Sequence, residues 1–202
     1  MHPATATGVI AGFVAALFPL LRDFVSQELQ QSPAALLGDA WTTMLGHHDF
    51  YTALRRECEV AWSSVAIPVR LKPYFDKMAC EDCGSALLQP AIDNDAPNAT
   101  LDDRTHTVVC MACDLKTSSM LLLENVLLGE LGLYDPTHGG EPPVIECSQC
   151  SHGTYVVAEA VCFFCEYRPK YFECAVCQQP LGLDDQDNGG LCGYHSNVMD
   201  ND

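Results

Sequence analysis

Ile10, Val14, Leu17, Leu21 and Phe24 recur with the 3.6-residue period of an α-helix, and Phe13, Phe18 and Val25 widen the stripe. The run "GVIAGFVAALFPLL", residues 8 to 21, therefore predicts a buried helix. Ser32 followed by Pro33 reads as an N-cap and first helical position, opening a second helix that should stop near Gly46. Asp49 is placed to cap a third, with Leu54, Cys58, Ala61, Trp62 and Val65 near one face. His47 and His48 fall in the turn between those helices, and Pro68 and Pro73 flank an extended link. A fourth helix is predicted over Ser118–Leu131, and Gly132 ends it. Its core "MLLLENVLLGEL" is apolar on most sides, so it should be buried between the N-terminal helices and the C-terminal part of the chain. Thr154 to Val157 is β-rich and is followed by a short turn and a return, the pattern of a hairpin. "DPTHGGEPP", 135 to 143, is a linker by composition.

Cysteine spacing changes the picture of the second half. Five Cys-x-x-Cys pairs occur, Cys80/Cys83, Cys110/Cys113, Cys147/Cys150, Cys162/Cys165 and Cys174/Cys177, and Cys192/His195 is a sixth half-site. Only Cys58 of the 12 cysteines is left over, and its helical face makes it a core residue rather than a nucleophile. No basic segment precedes the first apolar run, no small-x-small site follows it, and at 14 residues it is short for a membrane span. These features predict a cytoplasmic protein without a membrane segment, and in a reducing compartment paired cysteines point to metal rather than disulfides.

Two residues between ligands let one tight turn place both sulfurs on one ion, and zinc takes four thiolate or imidazole ligands tetrahedrally. Six half-sites make three zinc ions with no ligand unpaired; iron–sulfur ligation is the minority alternative. Cys83 is followed by Gly84, which tolerates the positive φ such a turn often requires; the other turns lack a glycine there. Sequential pairing groups Cys80, Cys83, Cys110 and Cys113, then Cys147, Cys150, Cys162 and Cys165, then Cys174, Cys177, Cys192 and His195, with loops of 26, 11 and 14 residues. A cross-brace among the last four half-sites is the alternative. The predicted hairpin between Cys150 and Cys162 favours sequential pairing, because it brings the half-sites at its two ends together.

"CSQCSHGTYVVAEAVCFFC" resembles a zinc ribbon of the rubredoxin-like knuckle type, and "CEDCG" resembles the first knuckle of such ribbons. The tandem arrangement is similar to the cysteine-rich C-terminal regions of bacterial proteins of unassigned function. The resemblance covers residues 80 to 195 and implies structural zinc, but no particular activity. Cys192/His195 departs from the all-cysteine ribbon; His152 is an alternative ligand whose simpler reading is an exposed loop histidine. The expected fold is α+β: a helical module and linker over 1–79, a first zinc site with the following buried helix over 80–146, and two tandem zinc-ribbon modules over 147–202. The apolar faces of residues 1 to 66 can pack on one another, so the helical module should depend less on zinc than the ribbons do.

Charge narrows the function. The formal net charge is −17; residues 1 to 79 carry −1 of it and residues 80 to 202 carry −16. Thiolate ligation of three zinc ions takes the second half to about −21. A phosphate backbone would be repelled there. Five of the ten basic residues lie between Arg55 and Lys77, so a nucleic-acid-associated regulator acting through 55–77 is the second hypothesis. Catalytic motifs are lacking: no Walker A loop, G-x-G-x-x-G or G-x-S-x-G occurs, and "HGGE" at 138 to 141 has the wrong spacing for a zinc deaminase. The acidic loops "AIDNDAPNATLDD" and "LGLDDQDNGG" do not match an EF-hand and read as solvated loops. The favoured expectation is a non-enzymatic, regulatory interaction protein whose acidic surface meets a basic protein partner or mimics nucleic acid, with self-association through the N-terminal helices. A regulatory subunit of an enzyme complex is the third hypothesis.

Overall fold

The computed structural model describes residues 3–91, 101, 106–132, 137 and 142–199. Most of the predicted linker at 135–143, the "HGGE" segment and most of the 91–103 loop lie outside them. The chain is α+β, with helices and, among the described residues, two three-stranded antiparallel sheets. Its contacts divide it into two compact units, Met1–Ile67 with Lys77–Leu122, and Pro68–Asp76 with Leu123–Asp202. No helix among the described residues is long and apolar enough to cross a membrane.

The first unit opens with α1, Pro3–Asp23, which widens into a π-helical turn over Phe24–Glu28. The helix is where the periodicity placed it, but much of the stripe is not buried: Phe13, Leu17, Leu20 and Phe24 are exposed, whereas Phe18 and Val25 turn inward. Phe18 sets its ring edge-on to Phe50 at 5.5 Å. Ser32 caps α2, Pro33–Leu37, by accepting a hydrogen bond from the Ala35 N–H at 3.2 Å. The expected single helix to Gly46 is broken at Gly38, whose φ of 52° ends α2 and starts α3, Asp39–Leu45. Helix α4, His48–Trp62, has His47 rather than Asp49 at its N-cap, and Asp49 sits in its first turn. The segment from Pro68 is not extended, because Pro73 opens the short helix α5, Lys72–Phe75, in the second unit.

Strands β1, Leu88–Pro90, β2, Thr107–Cys110, and β3, Lys116–Ser118, form the first sheet, with Leu88 opposite Cys110 and Val109 opposite Lys116. This ribbon shares a core with the helices. Leu87 is fully buried in one cluster with Trp41, Met44, Phe50, Leu54 and Cys58. The indole N–H of Trp41 donates to the Met111 carbonyl at 3.1 Å, and that of Trp62 donates to the Leu88 carbonyl at 2.9 Å. The helical module and the first zinc site therefore share packing that the sequence does not foretell. Cys58 is the core residue predicted, and burial pushes its thiol up to about 11. His106 stacks on Trp62 at 5.6 Å, with neither ring nitrogen hydrogen-bonded, and burial holds it below the usual histidine range, in the neutral form.

Helix α6, Ser119–Leu131, matches the fourth predicted helix. Met120, Leu122, Leu123 and Leu127 are buried, while Leu121 and Leu128 stay exposed, so its burial is one-sided. Its first turn counts in the first unit and the rest in the second. The second sheet has order β4-β5-β6, formed by Val144–Ile145, Tyr155–Val156 and Val161–Cys162. The β5–β6 connection is the hairpin read from Thr154 to Val157, closed by Ala160 at φ 48°. The last zinc module lacks the expected hairpin: among the described residues it has one isolated bridge, Glu173 to Pro180, then a 3-10 helix over Leu183–Asn188 and α7, Gly193–Met199.

Candidate metal centres

Each Cys-x-x-Cys pair sits on the same backbone turn. The N–H of the first cysteine donates to the carbonyl five residues on, and the N–H four residues on donates back to the cysteine carbonyl. The pattern runs through Cys80 with Ser85 and Gly84, Cys110 with Leu115 and Asp114, Cys147 with His152 and Ser151, Cys162 with Tyr167 and Glu166, and Cys174 with Gln179 and Gln178. All five residues following the second cysteine have positive φ: Gly84 69°, Asp114 64°, Ser151 57°, Glu166 60° and Gln178 59°. The turn therefore demands the left-handed conformation, and four of the five positions meet it without glycine. That conformation costs an L-residue roughly 1–2 kcal/mol. Glu166→Gly should accordingly retain zinc and raise stability by about 0.5–1 kcal/mol, whereas Glu166→Val should lower it. Thermal unfolding of the zinc-loaded variants reads the difference.

The turns bring twelve ligand atoms into three groups. Cys80, Cys83, Cys110 and Cys113 form one, Cys147, Cys150, Cys162 and Cys165 the second, and Cys174, Cys177, Cys192 and His195 the third, with all ligand atoms of a group within 4.8 Å of one another. Pairing is sequential in every case; no group joins half-sites across a brace. A Zn–S bond of about 2.3 Å fixes the edge of a ZnS₄ tetrahedron near 3.8 Å, and a disulfide would bring the sulfurs to about 2.05 Å. Observed Sγ–Sγ distances are 3.6 Å for Cys80–Cys113 and Cys83–Cys110, 3.7 Å for Cys147–Cys165 and Cys150–Cys162, and 3.9 Å for Cys177–Cys192. His195 presents Nδ1 at 3.5 Å from Cys174 Sγ and 3.2 Å from Cys192 Sγ, near the roughly 3.6 Å expected of a tetrahedral N–Zn–S pair. The donor sets fit zinc.

Electrostatics explains why a cation belongs there. In each group the backbone favours one thiolate against the cost of burial: N–H groups of Cys83 and Asp82 lower Cys80, and those of Cys165 and Phe164, with the Thr154 hydroxyl, lower Cys162. The N–H groups of Cys177 and Cys192 bring Cys174 down to about 6. Burial and neighbouring sulfurs push others the opposite way, Cys113 and Cys165 each to about 11. Three or four thiolates this close repel one another, and a divalent ion at the centre removes that repulsion.

His152 is not a ligand. The expected exposed loop histidine is instead buried, with its ring 4.6 Å from that of Phe164 and its carbonyl accepting from Cys147 and Thr154. Asp185 and Gln186, assigned to a solvated loop by sequence, organise the third centre. Asp185 accepts from the N–H groups of Gly182 and Gly193, each at 3.1 Å, so it fixes the residue following Cys192. Gln186 accepts from Lys170 and Tyr171 N–H and donates to the Tyr171 and Gly182 carbonyls. The sixth half-site is no knuckle: Cys192 and His195 lie at the start of α7, where Ser196 N–H bonds the Cys192 carbonyl at 3.0 Å.

Within the second unit a groove of about 470 Å³ is lined by Ile145, Tyr155, Val157, Phe172, Leu181 and Leu183, among others. Exposed Glu146, Glu173 and Asp184 directly follow three of these residues in the chain; exposed Arg168 and Lys170 flank Pro169, also in its wall. Of the basic segment, Arg55 pairs with Glu59 at 3.4 Å and Arg70 with Glu159 at 2.8 Å. No family model, curated protein or solved structure matches the chain.

Proposed function

We propose that the chain is a non-enzymatic, regulatory zinc protein that acts by contact with a basic protein surface. The observation that carries this reading is the closure of all three centres: each offers four side-chain ligands, whereas catalytic zinc keeps a position for water. Zinc then serves to hold shape, and what it holds is acidic, with −16 of the formal charge in residues 80 to 202. Such a surface attracts cationic partners and could occupy a nucleic-acid-binding protein in place of its nucleic acid. The apolar groove with Glu146, Glu173 and Asp184 beside it supports an occupant that pairs an apolar side chain with lysine or arginine. Carboxylate pairing of Arg55 and Arg70 argues against a free basic face for nucleic acid in the 55–77 segment.

The test titrates zinc-loaded protein with a fluorescent lysine-rich peptide carrying one phenylalanine, and with labelled duplex DNA and RNA. The peptide should bind with an affinity that falls as salt rises, and the nucleic acids should not bind at physiological salt. Absence of peptide binding at low salt would overturn the reading. A micromolar or tighter DNA complex that weakens steeply with salt and is abolished by R55E/R56E would establish the nucleic-acid reading instead.

A further inference from the structure

Helix α1 has two faces. Phe18, Arg22 and Val25 recur at spacings of four and three residues and turn inward: Phe18 packs on Phe50, Arg22 reaches Glu57 at 2.6 Å, and Val25 is 1% exposed. The opposite face carries Phe13, Leu17, Leu20 and Phe24, exposed by 70%, 58%, 65% and 53%. Val14 and Leu21 border it, at 43% and 41%. These six side chains leave roughly 600 Å² of mostly apolar surface in one strip, at the upper end of the largest apolar patch on a typical monomer, a patch that is often functional.

We propose that this strip is the contact surface for α1 of a second copy of the chain. The outward positions 13, 17, 20 and 24 alternate spacings of four and three, and Ile10 continues the register in the sequence. That is the heptad seam of a helix that packs knobs into holes against another helix of the same kind, so the strip is complementary to itself. Pro19 lies off the seam. Charge excludes the competing occupant. Residues 3 to 21 contain no ionisable side chain, and Arg22 is engaged by Asp23 and Glu57, so the strip lacks the lysines and arginines by which a surface helix holds anionic lipid. With no ionisable side chain over residues 3 to 21, two strips meet without placing like charges in contact. Joining two strips removes roughly 1,200 Å² from water, the lower bound of a standard stable interface.

The test is sedimentation velocity on the full zinc-loaded chain in reducing buffer. The expected mass is twice the 22.0 kDa of one chain. L17E/L20E should run as a single chain, with the near-ultraviolet signal of the buried Trp41 and Trp62 unchanged. L17M/L20M should still pair. F13E, a single change at the most exposed position, should weaken pairing about tenfold or more even if the double variant proves unstable. A single-chain mass for the native protein at tens of micromolar overturns the proposal, as does a mass that none of the glutamate variants changes. It is also overturned if the native chain runs singly and co-sediments with phosphatidylcholine–phosphatidylglycerol vesicles, in which case lipid is the occupant.

Discussion

Cys147→Ser is expected to leave two zinc ions per chain instead of three and to unfold the second ribbon, while the first and third centres keep their metal. Cys147 is fully buried and is grouped only with Cys150, Cys162 and Cys165, so its loss leaves an incomplete centre that no other half-site can complete. The ribbon around it has strands of two residues each. So short a sheet buries too little apolar surface to offset its chain entropy. Structural zinc supplies about 10–16 kcal/mol of apparent binding free energy in finger peptides, as much as the whole net stability of an ordinary domain. Elemental analysis counts the ions, and hydrogen exchange locates the damage. The Ser151 and Glu166 amides, which bond the Cys147 and Cys162 carbonyls, should lose protection. The Asp114 and Gln178 amides, which close the equivalent turns in the other two centres, should keep theirs. Three ions retained, or equal damage at Gln178, would refute the independence of the centres.

The centres were legible because their geometry is local. A Cys-x-x-Cys turn is set by six consecutive residues, and the hairpin that joins Cys150 to Cys162 announces itself in "GTYVVAEAV". Helix α6 was legible for the same reason, as a long apolar run ended by Gly132 at φ 112°. Where the sequence misled, a local signal was cancelled by something longer-range or subtler. Leu36, Leu37, Trp41, Met44 and Leu45 keep a helical rhythm straight through Gly38, so the break there is invisible until φ is known. The left-handed residues Asp114, Ser151, Glu166 and Gln178 carry no common side-chain mark, and only Gly84 looks the part. Asp185 and Gln186 sit among acidic residues that resemble any solvated loop, and their role depends on backbone groups of Lys170, Tyr171 and Gly193. For α1 the periodicity predicted the helix, but an apolar stripe does not say whether its partner lies in the same chain.

The core shared by helices and first ribbon leads to the opposite expectation for the first centre. Cys83→Ser should cost one zinc ion and, unlike Cys147→Ser, should also loosen helices α3 and α4. Cys83 is exposed, so the substitution itself disturbs little packing, and any remote effect must come through the metal. The path is explicit. Without zinc the turns at Cys80 and Cys110 lose their common centre. Leu87, Leu88 and Met111 then lose the positions from which Leu87 fills the Trp41–Leu54 cluster and the other two accept the Trp62 and Trp41 indole N–H groups. The Ser32 hydroxyl also donates to the Asp114 carboxylate, which ties the cap of α2 to the second turn of the same centre. One buried and one part-buried indole hydrogen bond at about 1 kcal/mol each, with partial exposure of a buried leucine at about 2 kcal/mol, put the loss in the helices at several kcal/mol. Tryptophan fluorescence reports it directly, because both tryptophans of the chain lie in this unit. The chemical midpoint of that signal should fall in Cys83→Ser and stay put in Cys147→Ser. If both variants leave it unchanged, the helices stand without the first ribbon, and the shared core contributes contact without stability.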